Sequence, residues 1–234
     1  MKEYEAKRAI LLAAGFGSRM VPITLNTPKP LVRVNGKRII DTLIDACLKA
    51  GIEEIYIVRG YLWEQFDQLL YKYPMIKFID NHIYDKANNI SSALLAKNLF
   101  ENAYVLEADL YLSNPDIIKK FHNQSNFLAI KKERTDDWCF EVNDGIIAEE
   151  KVGGENCWQM VGISFWTEED GKQLATDIER IYHQTNGDQS YWEQVPLVYC
   201  KNRYQVAVRE CFDEDIVEID TFDELKALDP SYNV

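Results

Sequence analysis

Long apolar runs are missing from this sequence. The longest, AILLAA at Ala9 to Ala14, is far short of the ~20 residues needed to cross a bilayer. Nothing at its start reads as a secretory signal, so a membrane is not an expected partner. Cysteine is scarce and unpatterned. Cys47, Cys139, Cys157, Cys200 and Cys211 are odd in number and never spaced as CxxC, which indicates neither a disulfide framework nor a thiolate metal site. The expected compartment is a reducing cytoplasm. His82, His122 and His183 share no motif with one another, and none is singled out as catalytic. Positive charge is also in deficit: 26 Lys and Arg against 38 Asp and Glu give a net charge of −12. That argues against nucleic acid or an anionic membrane surface as the main partner. It leaves room for one small basic pocket that takes a phosphorylated metabolite.

What is present is enough chain for a real core. At 234 residues the length favours one large domain, and scaling of surface with mass allows roughly 70% of the unfolded surface to be buried. No linker, repeat or low-complexity segment divides the sequence, so a single domain over 1–234 is expected. Apolar periodicity predicts a strand over Ala9–Ala13, then a loop marked by glycine and proline to about Pro30. Ile40, Leu43, Ile44, Cys47 and Leu48 form one face of a helix that stops at Gly51. Strand Glu54–Val58, a helix through Leu62, Phe66, Leu69 and Leu70, strand Met75–Ile79, a helix over about Ile90–Leu99 and strand Ala103–Glu107 follow. From Phe127 onward strand-like stretches dominate (FLAIK, CFEV, GISFW, and later YQVAV and IVEI), with a helix from about Glu168 to His183. Strands alternating with helices predict right-handed βαβ units: an α/β, Rossmann-like, mostly parallel mixed sheet with helices on both faces. Function in such sheets gathers at the carboxyl ends of the strands.

The segment Ile10 to Ile40 carries the strongest chemical signal. Gly15 and Gly17 follow the first strand, where small residues let backbone N–H groups approach a phosphate chain. Arg19 adds a planar cation, and Pro28 and Pro30 stiffen the chain on either side of Lys29. A glycine pair in a βα turn is equally compatible with a purely geometric role. A dinucleotide-binding Rossmann turn fits poorly, because Met20 stands where the third small residue belongs and Pro22 and Pro28 break the helix that should cradle a pyrophosphate. The Walker A pattern is absent.

Two acidic positions and two aromatic clusters add to this. Asp109 follows strand AYVLE. Glu218 and Asp220 end strand IVEI, just before a helix opened by the capping-box pair Thr221 and Glu224. Carboxylates at strand ends suit Mg²⁺, which takes one or two of them and keeps its other positions for water and phosphate; turn and cap roles are the plain alternative. Trp138 stands among Asp136, Asp137 and Glu141, and Tyr191 and Trp192 stand between Asp188 and Glu193. Aromatic faces with nearby negative charge suit a quaternary ammonium, at about 0.5–2 kcal/mol per cation–π contact, whereas ordinary core packing is the competing reading.

The whole arrangement LLAAGFGSRMVPITLNTPKPL resembles the nucleotidyltransferase signature LxAGxGxRxxPxTxxxPKPL. The resemblance implies that the loop of Ala13, Ala14, Gly15, Gly17 and Ser18 wraps the triphosphate of a nucleotide. It also implies that Arg19 and Lys29 bind the phosphates and that Asp109 and Asp220 hold one Mg²⁺. Further elements are similar to bacterial choline-phosphate cytidylyltransferases of the LicC type: Gly60 and Tyr61, Asn88 and Asn89, EADLYL, Trp138, Tyr191 with Trp192, and Glu218 to Asp220. That likeness implies CTP and phosphocholine as substrates. Tyr61, Asn89 and Ser91 would lie at the base, Asp109, Trp138, Tyr191 and Glu218 around the choline, and Lys131 at the acceptor phosphate.

The expected reaction is in-line attack of a phosphocholine oxygen on the α-phosphorus of CTP, giving CDP-choline and pyrophosphate. Lys29, Arg19, Asp109 and Asp220 form the catalytic set, and no protein nucleophile is required. Within the same class the alternatives are a sugar-1-phosphate nucleotidylyltransferase and a cytidylyltransferase for another amino-alcohol phosphate. From a different class, the alternative is a non-catalytic module that binds nucleotide or choline.

Overall fold

A computed structural model of the chain describes residues 2–233. Its centre is a seven-stranded sheet. Strands β1 (Arg8–Ala13), β2 (Glu54–Arg59), β3 (Lys77–Asp80) and β4 (Ala103–Glu107) lie parallel, with β1 between β2 and β4. Helix α1 (Ile39–Lys49) separates β1 from β2, and helix α2 (Ile90–Ala96) separates β3 from β4. After β4 comes the short strand β5 (Leu110–Leu112), then a long hairpin of β6 (Asn126–Asn143) and β7 (Ile146–Trp166). The end of β7 runs antiparallel to β4, and the start of β6 lies between β7 and the parallel β8 (Ala207–Cys211). Helix α3 (Glu168–Tyr182) follows β7, and β9 (Ile216–Glu218) and α4 (Phe222–Leu228) follow β8. This is the mixed, mostly parallel sheet that the alternating pattern predicts. Among the described residues no helix is long and apolar enough to cross a membrane.

β1 shows why the sequence folds this way. All its central residues are apolar because both its faces are covered. Ala9, Leu11 and Ala13 pack with Ile40, Leu43, Ile44 and Cys47 of α1. Ile10 turns the other way, to Ile90 and Ala93 of α2 and Leu174 and Ile178 of α3. Truncating Ile10 or Leu11 to Ala would cost about 2–5 kcal/mol. A third, smaller cluster is the one that matters most for the site. Met20, Val32, Val34 and Ile39 close on Ile219 and Leu225, fixing the loop after β1 to the segment that carries Asp220.

Several elements differ from expectation. The stretch from Trp63 to Tyr71 is a 3-10 helix, and the helix from Ile90 is α-helical only to Ala96, with 3-10 turns over Lys97–Leu99. The last long strand begins at Ala207 rather than Tyr204, because its parallel register pairs Ala207 with Asn126. FLAIK and CFEV are parts of one 18-residue strand, and GISFW ends one of 21 residues. Polar residues from Lys132 to Asp137 hide that continuity: the ribbon leaves the sheet there, and most of its side chains face water. All five cysteines are unpaired and buried.

Candidate active site

The carboxyl ends of β1, β3 and β4 open on one edge of the sheet, and the segments that follow them line a cleft of about 500 Å³. Ala13, Ala14, Gly15, Gly17, Ser18 and Arg19 form one wall, and Asn81, Tyr84, Asn89 and Ser91 the other. Lys29, Asp109 and Asp220 close one end. The two loop glycines serve different purposes. Gly17 has φ +68, and a Cβ there would stand 3.0 Å from the Cβ of Lys29, so glycine lets the loop fold back over the lysine. Thr24 fixes that fold by donating its hydroxyl to the Gly17 carbonyl at 2.9 Å. A Cβ at Gly15 would meet nothing within 4 Å. Its small size therefore serves no packing need and keeps the cleft wall clear.

Lys29 is 6% exposed, and its Nζ donates to Asp109 Oδ2 and Asp220 Oδ1, each at 2.8 Å. Burial opposes its charge, but the Asp109 and Asp220 carboxylates outweigh that and hold the ammonium above its ordinary pKa. Arg19 reaches the same Asp220 oxygen at 2.8 Å from a largely exposed position. The fold brings the carboxylates together through β5 and β9, which pair antiparallel with Glu218 opposite Leu110. Ile219 then donates its N–H to the Asp109 carbonyl at 3.4 Å. Glu224 completes the capping box by accepting from the backbone N–H groups of Asp220 and Thr221, each at 2.8 Å.

Asp109, Glu218 and Asp220 each offer an oxygen within 4.8 Å of the others. Asp109 Oδ1 is buried and has no hydrogen-bond partner. A hard cation suits that donor set: oxygen ligands only, with one oxygen left unsatisfied. Burial first, and then the Asp109 and Asp220 charges, push Glu218 up to about 8. Glu107, which ends β4, is raised by burial and by Asp109, Glu193 and Glu218.

A second cavity of about 480 Å³ adjoins the cleft and shares Arg19, Glu107, Asp109, Tyr191 and Asp220 with it. Trp138 and Tyr191 form its aromatic side, with ring centroids 5.7 Å apart and planes at 64°. A bulge delivers Trp138: Thr135 pairs with Gly154 and Trp138 with Val152, so Asp136 and Asp137 together oppose Gly153 and the ribbon bends. Trp192 goes elsewhere. It is 3% exposed and packs on Phe100, Phe127 and Trp166, so the YW pair divides between cavity and core.

Three expected site residues are tied up in other ways. Tyr61 is not among the residues lining the cleft; its ring stands 4.6 Å from that of Phe16 and its hydroxyl donates to the Leu25 carbonyl at 3.1 Å. Ser91 lines the cleft, but its hydroxyl donates to the Asn88 carbonyl and accepts from Asn81. Lys131 is not brought to the cleft at all. It pairs with Trp158 across the ribbon, stands 5.8 Å from that ring, and lines a surface recess with Glu133 and Phe212. Strand alternation turns it away.

Sequence reasoning also missed residues. Asn81, at the carboxyl end of β3, was open to the strand-end rule. Glu193 had a signal in its place beside Tyr191 and Trp192. Tyr84 had none; its ring closes on Gly60, where a Cβ would stand 2.7 Å from Tyr84 Cγ.

The fold agrees with the comparisons to known proteins. The family model of the MobA-like NTP transferase domain matches residues 9–209, and the chain belongs to that family. It is 36% identical over 232 residues to the 2-aminoethylphosphonate cytidylyltransferase of Lancefieldella rimae, covering 97% of this chain and 94% of that one. It is 31% identical over 223 residues to the choline-phosphate cytidylyltransferase of Streptococcus pneumoniae, covering 95% and 96%. The solved CTP:phosphocholine cytidylyltransferase LicC of Streptococcus pneumoniae superposes with a TM-score of 0.88 at 32% identity, over 96% of this chain and 98% of that one. Nucleotidyl transfer, and within it cytidylyl transfer, is the reaction class these likenesses support. The stretch matched by the family model ends before Asp220.

Proposed function

We propose that the chain transfers CMP from CTP to a small acceptor with a phosphate or phosphonate at one end and a cationic nitrogen at the other. An acceptor oxygen forms a bond to the α-phosphorus, the bond from that phosphorus to the bridging oxygen breaks, and pyrophosphate leaves. One observation carries this reading: a cleft of nucleotide size and an acidic, aromatic cavity share Arg19, Asp109 and Asp220, residues suited directly or through a divalent ion to phosphate charge. Phosphocholine, expected from the sequence, and 2-aminoethylphosphonate, the substrate in the name of the Lancefieldella relative, both have this chemical form.

Lys29 and Arg19 lower the repulsion between two anionic reactants, and the loop of Gly15 and Gly17 orients the triphosphate by its backbone. Arg19 lines both cavities and is the cation suited to the acceptor phosphate, the place expected for Lys131. Asp109 and Asp220, with Glu218 beside them, would hold Mg²⁺. When bound, it would supply charge neutralisation at the α-phosphate and the leaving pyrophosphate. The test is pyrophosphate release with CTP, Mg²⁺ and a panel of phosphocholine, 2-aminoethylphosphonate and sugar 1-phosphates. Release with a cationic acceptor supports the reading, and release with sugar 1-phosphates alone would overturn it.

A further inference from the structure

Two glutamates meet in the cavity next to the nucleotide cleft. Glu193 is 4% exposed and lines the cavity floor together with Glu107. Among the described residues no Lys, Arg or His forms an ion pair with either. Their one shared donor is the Asn89 amide, whose Nδ2 stands 3.5 Å from Glu107 Oε1 and 3.4 Å from Glu193 Oε2. Asn89 is fixed in turn, because its Oδ1 accepts the Trp192 N–H at 2.8 Å. Gly162 keeps the floor open. A Cβ there would stand 3.1 Å from Glu107 Oε2, the oxygen that Asn89 leaves free.

Carboxylate oxygens are satisfied by N–H or O–H donors, and burying them without one is costly. The aromatic side of the cavity does not discriminate between small cations, since Trp138 and Tyr191 offer their faces to any of them. The floor does discriminate. A primary ammonium brings three N–H donors to the two glutamates, whereas a trimethylammonium brings none and also displaces the water that could serve instead.

We propose that Glu193, held beside Glu107 by Asn89, is a specificity-determining residue that selects an acceptor with a primary ammonium over its trimethylated counterpart. This rests on the cytidylyltransferase reading above and narrows its acceptor. Charge-assisted hydrogen bonds of this kind correspond to at least about a tenfold preference.

The experiment offers CTP with phosphoethanolamine and its mono-, di- and trimethylated forms to the full chain and to Glu193→Gln. For the wild type, kcat/KM should fall with each methyl, by at least about tenfold across the series. Glu193→Gln should raise KM for phosphoethanolamine by about tenfold while leaving the KM for CTP in place, which a general loss of structure would not do. If the variant does not fold, the wild-type series decides alone. Equal or better turnover of the trimethylated compound overturns the selection by Glu193 and leaves the cationic-acceptor reading standing. Turnover of a sugar 1-phosphate with none of the four amines overturns both.

Discussion

Lys29 Nζ stands 2.8 Å from Asp220 Oδ1 although 191 positions separate the two residues in the chain. The ammonium also holds Asp109, so one buried cation joins the loop after β1 to both acidic strand ends. Replacing Lys29 by Ala should lower kcat for pyrophosphate release by about 10²–10³, with the circular dichroism spectrum retained. Near-normal turnover would remove Lys29 from the mechanism.

The carboxylates make a separate prediction. Chelation with EDTA should abolish turnover and added Mg²⁺ restore it. Asp109→Asn should raise the Mg²⁺ concentration for half-maximal rate by at least about tenfold. Full activity in EDTA would show that the orphaned Asp109 oxygen has another purpose.

Trp138 is expected to act on the acceptor alone. Trp138→Ala should raise the acceptor KM by about 3- to 30-fold, the equivalent of one cation–π contact, and leave the KM for CTP within about twofold. Parallel rises in both constants would assign Trp138 to the shape of the ribbon and not to binding.

The two loop glycines should behave differently. Gly17→Ala forces a side chain into a left-handed backbone conformation against Lys29. It should cost about 1–2 kcal/mol, read as a fall in Tm of about 2–8 °C. Gly15→Ala adds a methyl to open space, so Tm should hold while the KM for CTP rises. An unchanged KM would show that the triphosphate does not touch Gly15.

Glu150 gives a prediction on stability. Both its carboxyl oxygens are buried without a partner, and burial, then the Glu193 charge, pushes its pKa from 4.5 up to about 8. Between those values the folded chain keeps a proton that the unfolded chain releases. The stabilisation is therefore complete below pH 4.5 and lost as pH rises through about 8. Glu150→Gln should raise Tm at pH 8.5 by about 3–8 °C, corresponding to about 1–3 kcal/mol, and change it little at pH 5. Equal melting shifts at both pH values would contradict this.

Much of the architecture was legible because β1, β2 and β4 are apolar runs, as burial on both faces demands, and α1 carries one apolar face. The glycine loop, Lys29 and the two aspartates stand at strand ends or between prolines, but those positions fit turn and cap roles equally well, and their expected roles come from the resemblance to the nucleotidyltransferase signature. The long ribbon was not legible, since polar residues over 132–137 carry no period once a strand leaves the sheet. Nor was the second contact of Asn89, which lines the cleft and also spans two glutamates from distant segments. Lys131 shows the limit of a likeness as a guide: alternation along the strand decides which face of the ribbon a residue occupies, and it turns Lys131 away from the cleft.

The pairing of β9 with β5 has a consequence for biosynthesis. A nascent polypeptide displays its glycine-rich loop early, yet the second aspartate joins the first only when the segment around residue 220 has left the ribosome. Until then the loop has no anionic clamp facing it. The pair of carboxylates that holds Lys29 can therefore be completed only after residue 220 has been made.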